Sequence, residues 1–205
     1  TTVKDLAGNH DATLSGEIKL DESAGALVLA GKNTRVALGT VENGGGLPRE
    51  ALSVEAWVRV DEGTRWGGIL SALQDNGTSE KGWHLGSEDN RFRFAVSSVG
   101  ADDGDGKVTY LNAPTTFEAG KWYHVVGTWD ETTLRLYVNG VLDDETVNTT
   151  GGVRDTAGSL IIGAQLAEKY NAGYGNLGWD GVIDRVIIRS DTLSAEQIQA
   201  RYDSL

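Results

Sequence analysis

Three groupings of acidic residues could do carboxylate chemistry in this 205-residue chain: Glu88-Asp89, Asp102-Asp103-Gly104-Asp105 and Asp143-Asp144-Glu145. A retaining glycosidase needs two carboxyl groups about 5–5.5 Å apart across the scissile bond. A strand supplies that spacing from alternate residues on one face. All three groupings fall instead where loops or hairpin ends are expected, and solvated turns account for them. The histidines, His10, His84 and His124, form no His-x-x-x-His or His-x-His pair for a metal, and no Gly-x-Ser-x-Gly elbow presents a serine nucleophile. The sequence therefore nominates no catalytic residue. Sugar recognition asks for other chemistry, namely flat aromatic faces for the apolar side of a ring and fixed polar groups for its hydroxyls. The segment 168–179 combines aromatics, asparagines and glycines, and Tyr170, Asn171 and Tyr174 are its candidates for a binding edge. Trp66 and Trp83 are further candidates, whereas Trp57, Trp122 and Trp129 read as sheet-packing residues.

Composition narrows the classes. The 18 basic and 30 acidic side chains leave a net charge of -12, a field that repels nucleic-acid phosphates and an anionic membrane surface. No apolar run approaches the roughly 20 residues of a membrane helix, so membrane insertion is not expected. With no cysteine, disulfides and thiolate sites are excluded. The 28 glycines are spread along the chain rather than gathered in a linker, and residues 1–205 read as a single domain.

Between the glycines lie short segments of period-2 alternation. In Ser53–Val60, Val54, Ala56, Val58 and Val60 share one face, while Ser53, Glu55, Trp57 and Arg59 share the other. The same pattern runs through Thr133–Val138, and about ten strands are predicted in all. Asn139-Gly140 supplies the positive-φ pair of a tight hairpin, so the strands around it form a meander. Gly181–Arg189 is apolar on both parities and predicts a central strand covered on both faces. One helix is predicted, at the C-terminus: Ser194-Ala-Glu-Gln197 has the form of a capping box, with Ile198, Tyr202 and Leu205 on one face. The fold class is all-β, a two-sheet antiparallel jelly-roll sandwich with a short C-terminal helix.

The segment Gly120-Lys-Trp-Tyr-His-Val-Val-Gly-Thr-Trp-Asp130 followed by Leu134-Arg-Leu-Tyr-Val-Asn-Gly140 resembles the signature of laminin-G-like, concanavalin A-like domains. Leu52–Val58, Leu160–Gly163, Trp179–Val186 and Leu193–Ile198 resemble further motifs of that family in the same order, and Asp5–Leu14 resembles its opening. The resemblance implies two curved sheets packed face to face. It also implies one of several functions, because this fold carries lectins, adhesion domains, glycoside hydrolases and polysaccharide lyases. Its glucanases carry Glu-x-Asp-x-Glu or Glu-x-Asp-x-x-Glu, which this chain lacks. Its lyases would bring Arg, His and Tyr together in one cleft, and their Gln-Ile-His strand is absent. A structural role in the sheet is expected for His124.

The resemblance further implies a structural calcium ion held by Asp5, the carbonyl of Gly31 and Asp184. Asp102, Asp103 and Asp105 look like half of an EF-hand loop without its closing Glu. The resulting expectation is a non-catalytic recognition module, carbohydrate-binding, within a larger protein that is secreted, on the cell surface or periplasmic. Its partners would be a glycan or polysaccharide and other domains of its parent protein. The alternatives are a structural or protein-adhesion module, and a divergent glycoside hydrolase or polysaccharide lyase.

Overall fold

A computed structural model describes residues 2–3, 11–31, 33–40, 46–63, 66–75, 80–98, 108–146, 152–153, 159–164 and 178–204. Its strands in chain order are β1 (Thr2–Val3), β2 (Ala12–Ser15), β3 (Ile18–Asp21), β4 (Ala26–Ala30), β5 (Arg35–Thr40), β6 (Leu52–Val60), β7 (Trp66–Asp75) and β8 (Glu80–Glu88). They continue with β9 (Arg91–Ser97), β10 (Thr109–Thr116), β11 (Trp122–Trp129), β12 (Leu134–Val138), β13 (Val141–Thr146), β14 (Ser159–Ile162) and β15 (Asp180–Arg189). One helix, α1 (Ala195–Asp203), closes the described chain. The first sheet runs β1-β2-β5-β14-β7-β8-β9-β10 and the second β13-β12-β11-β6-β15-β4-β3. The two sheets form an antiparallel jelly-roll sandwich.

Alternation drives this arrangement. Val54, Ala56 and Val58 of β6 are fully buried, as are Leu134 and Leu136 of β12. They meet Leu85, Phe92 and Phe94 from the first sheet in one core. The meander β11-β12-β13 forms as the sequence predicts, and Asn139 (φ 52°) and Gly140 (φ 82°) make its tight turn. At the flank, the Asp143 carboxylate of β13 accepts hydrogen bonds from the Thr115 amide at 3.2 Å and hydroxyl at 2.5 Å. This ties the edge of the second sheet to β10 of the first.

Strand β15 is central, between β6 and β4. Its apolar residues on both parities have two causes: Val182, on the face opposite Ile183, is buried as well, and a bulge changes the parity of the strand. Asp184 pairs with Trp57 and Ile187 with Glu55, so two residues of β15 oppose one of β6. Arg185 takes the bulge with φ 49°. The bulge switches parity, so Ile183 before it and Val186 and Ile188 after it all reach the same core.

The outer face of the second sheet is covered by α1, whose predicted capping box is present. Gln197 N donates to Ser194 Oγ at 3.2 Å, and Ser194 N donates to Gln197 Oε1 at 2.8 Å. Ile198 is buried with Val126, Tyr137 and Leu193. Beneath the helix, Glu55 accepts from Arg201 Nε at 2.7 Å and meets His124 Nε2 at 3.0 Å. The Trp57 ring is stacked between His124 (5.1 Å) and Tyr202 (5.8 Å).

Burial alone would raise the Glu55 pKa, but the bonds from His124 and Arg201 outweigh it and hold the group below 4.5. A carboxylate with a lowered folded pKa stabilises the fold fully above its unfolded pKa, and that stability is lost as pH falls through the folded value. Breaking such a pair leaves an uncompensated buried charge, so Glu55→Ala is expected to cost about 3 kcal/mol at neutral pH by denaturant unfolding. Glu55→Gln is expected to flatten the loss of stability below about pH 4.5. An unchanged acid limb in Glu55→Gln would refute this role.

Candidate functional site

Neighbouring residues of a strand point to opposite faces. On β8, Trp83 and Leu85 enter the core, so His84 stands on the outer face of the first sheet. Cross-strand pairing aligns a row there: Ile161 opposite Ser71, Ser71 opposite His84, His84 opposite Ala95, and Ala95 opposite Tyr110. Beside it, Gly68 pairs with Gly86, Gly86 with Arg93, and Arg93 with Asn112, while Trp66 pairs with Glu88. Small residues in the middle leave room for the larger side chains to lie across the strands.

Those side chains form a chain over β7, β8, β9 and β10. Glu88 Oε1 accepts from Trp66 Nε1 at 2.9 Å, and Glu88 Oε2 lies 3.2 Å from Arg93 Nη1. The Arg93 guanidinium sits 3.8 Å from the centroid of the Tyr110 ring, within cation–π range. Arg91, on the same face, donates to the carbonyls of Ala113 and Pro114. Leu73, Ala95 and Val108 form a small apolar cluster with Trp66 and Tyr110 packed against it.

His84 is fully buried, and neither of its ring nitrogens has a hydrogen-bond partner. Its ring lies over Gly86, where a Cβ would come within 2.4 Å of both Cε1 and Nε2, so only glycine fits. Burial, and secondarily the positive charge of Arg93, drives its pKa well below 6.5. The neutral ring offers one donor and one acceptor. Arg93 Nε is likewise buried without a partner.

Of the residues nominated from sequence, Trp66 belongs to this face. Trp83 does not: at 1% exposure it fills the core between the sheets, because alternation sends it opposite to His84. Glu88, read as part of a solvated hairpin end, instead bridges Trp66 and Arg93. Asp89 and Asn90 make the turn with φ 46° and 64°. Trp122, read as a packing residue, is 41% exposed, while Trp129 is fully buried as expected. His124 is buried in the sheet against Glu55. Tyr170, Asn171, Tyr174, Asp5, His10, Asp102, Asp103 and Asp105 lie outside the described residues. Arg93, Tyr110 and the outward His84 were not singled out, although the alternation of Arg91-Phe-Arg-Phe-Ala95 carried the signal.

Gly31 and Asp184 do not fit a single calcium site. Asp180 pairs with Ala30, next to Gly31, and Asp184 lies four residues further along β15. At about 3.3 Å per residue that is about 13 Å, several times a calcium–oxygen distance. The Gly31 carbonyl already accepts from the Thr34 amide at 3.3 Å and hydroxyl at 2.7 Å. The carboxylate beside Gly31 is that of Asp180, whose pKa is raised by burial and by Glu62 and Asp61. No group of three His, Cys, Asp or Glu suited to a metal occurs among the described residues.

A profile of the concanavalin A-like lectin/glucanases superfamily matches residues 6–199. The chain belongs to that superfamily. Pappalysin-1 of Mus musculus is 26% identical over 118 residues, a match that takes in 52% of this chain but 7% of pappalysin-1. Human pappalysin-1 is 27% identical over the same extent. This superfamily member thus corresponds to a small part of those curated relatives.

Domain 4 of AbnA, a GH43 extracellular arabinanase from Geobacillus stearothermophilus solved in complex with arabinotriose, superposes with a TM-score of 0.68. The match is at 17% identity and spans 96% of this chain and 90% of that one. The ligand-binding domain of botulinum neurotoxin serotype D, solved with N-acetylneuraminic acid, superposes with a TM-score of 0.68 at 16% identity. There the match spans 98% of this chain and 47% of that one. Likeness at these identities establishes the fold alone.

A histidine with a depressed folded pKa lowers stability as pH falls below its unfolded value, because the unfolded chain takes up a proton that the native state refuses. Wild-type stability is therefore expected to decline as pH falls from about 6.5, and His84→Leu to remove that part of the decline. Equal slopes in urea unfolding from neutral to mildly acidic pH would refute a neutral buried His84.

Proposed function

We propose that this domain is a non-catalytic glycan-binding module of an exported protein. The reading rests on one observation: the polar and aromatic chain Trp66–Glu88–Arg93–Tyr110 laid across four strands. Half-buried Trp66 and Tyr110 offer ring faces, and Glu88 and Arg93 fix the planes of what they touch. Structural neighbours solved with arabinotriose and N-acetylneuraminic acid support a sugar ligand, and the extracellular arabinanase supports export.

A second reading, a polysaccharide lyase, is favoured by the residue types, because Arg93, His84 and Tyr110 share one face. Their state favours binding. The Arg93 charge is already met by Glu88 and the Tyr110 ring, and His84 has no solvent exposure through which to exchange a proton with a substrate. A protein-adhesion role finds less support. The exposed large apolar residues, Leu20, Trp122, Val141 and Leu142, all lie on strands of the second sheet and not beside the polar and aromatic chain of the first.

Affinity electrophoresis and a glycan array with the intact chain are expected to give binding, and Trp66→Ala and Tyr110→Ala each to weaken it about tenfold or more. Absence of binding across both assays overturns the proposal. Formation of unsaturated products, seen by ultraviolet absorbance on incubation with uronate polysaccharides, would replace it with the lyase reading.

A further inference from the structure

Two cations on the outer face of the first sheet, Arg93 and Arg91, are engaged within the protein. The Arg93 side chain is 8% exposed, its Nη1 lies 3.2 Å from Glu88 Oε2, and its guanidinium covers the Tyr110 ring. Arg91 spends Nη1 on the carbonyls of Ala113 and Pro114. An acidic sugar presents a carboxylate or sulfate, which is recognised by a guanidinium or ammonium free to form a forked, charge-assisted pair. Such a ligand would have to displace Glu88 from Arg93. It would leave the Glu88 carboxylate unpaired beside its own negative charge and would enter the field of a chain with net charge -12. A hydroxyl needs none of this. It carries no charge, so it leaves the Glu88–Arg93 pair intact.

From this we infer that the site takes uncharged glycans, and that Glu88 is the residue that sets this specificity by neutralising Arg93. The inference rests on the glycan-binding reading above. Likeness to neighbours solved with either kind of sugar does not decide the class, so the charges of this face must.

The test compares neutral oligosaccharides with carboxylate- and sulfate-bearing ones on the intact chain, at low and high salt, and repeats the comparison with Glu88→Gln. The expected result is binding of neutral glycans with an affinity that salt leaves unchanged, and acidic glycans at least about tenfold weaker. In Glu88→Gln, confirmed as folded by its melting transition, acidic glycans are expected to gain at least about tenfold through the released guanidinium. Wild-type preference for acidic glycans, or an affinity that falls steeply with salt, overturns the inference while leaving glycan binding intact. A folded Glu88→Gln that gains nothing for acidic glycans also overturns it. Should that variant not fold, the wild-type preference and salt dependence still decide. No binding of either class removes the glycan reading itself.

Discussion

Each strand of a two-sheet sandwich can bury only one parity of its residues between the sheets, and this constraint decides what every other residue in the structure is available for. In β8 it sends Trp83 into the core and His84 out. In β9 it buries Phe92 and Phe94 and turns Arg91 and Arg93 outward. A one-residue slip would exchange the two sets and place both arginines in the core, at a cost of many kcal/mol in unpaired buried charge. Register is therefore fixed by the apolar parity, and the outer face inherits whatever chemistry the other parity encodes. Strands depart from this at bulges: on β15, Arg185 lets Ile183, Val186 and Ile188 serve the same core, and on β7 the shift between Gly68 and Leu70 lets Ile69, Leu70 and Ala72 do so.

The two outer faces resolve their polar residues differently. On the second sheet, Glu55 bonds both His124 and Arg201 beneath α1, and Trp57 lies in a ring stack with His124 and Tyr202. That face is closed by the chain's own C-terminal helix. On the first sheet no described helix covers the polar parity. Trp66, Glu88, Arg93 and Tyr110 hold each other in place, yet His84 and Arg93 Nε keep hydrogen-bonding groups without a partner. The difference is one of cover, since buried polar atoms without a partner occur on both faces: Trp57 Nε1, His124 Nδ1 and Thr128 Oγ1 on the second sheet, His84 and Arg93 Nε on the first.

Much of the fold was legible in the sequence because its signals are local. Alternation in Ser53–Val60, the Asn139-Gly140 turn and the Ser194–Gln197 capping box each depend on a few adjacent residues, and each took the predicted form. The candidate site was less legible because it is assembled across strands. Trp66 and Glu88 are 22 residues apart in the chain, yet share a hydrogen bond. Which residue opposes which depends on pairing register and on the bulge between Gly68 and Leu70, which no local pattern specifies. Choosing Trp83 over His84 followed residue type where parity was the better guide. Of the set that the family resemblance implies for calcium, Asp5 lies outside the described residues, and antiparallel pairing places Asp180 rather than Asp184 beside Gly31.

The unpartnered state of His84 bears on function through stability. A buried polar group without a partner costs about 1–3 kcal/mol, and this ring carries two such nitrogens. A leucine at the same place would avoid that cost and would join the neighbouring cluster of Leu73, Ala95 and Val108. Glycine at position 86 is a second concession, since it gives up side-chain packing in mid-strand to seat the imidazole. Two local departures from what a stable sheet favours thus converge on one side chain. Both are costs to stability that the strands around β8 carry at one position. Burial keeps the ring neutral, and the adjacent guanidinium is already matched by Glu88.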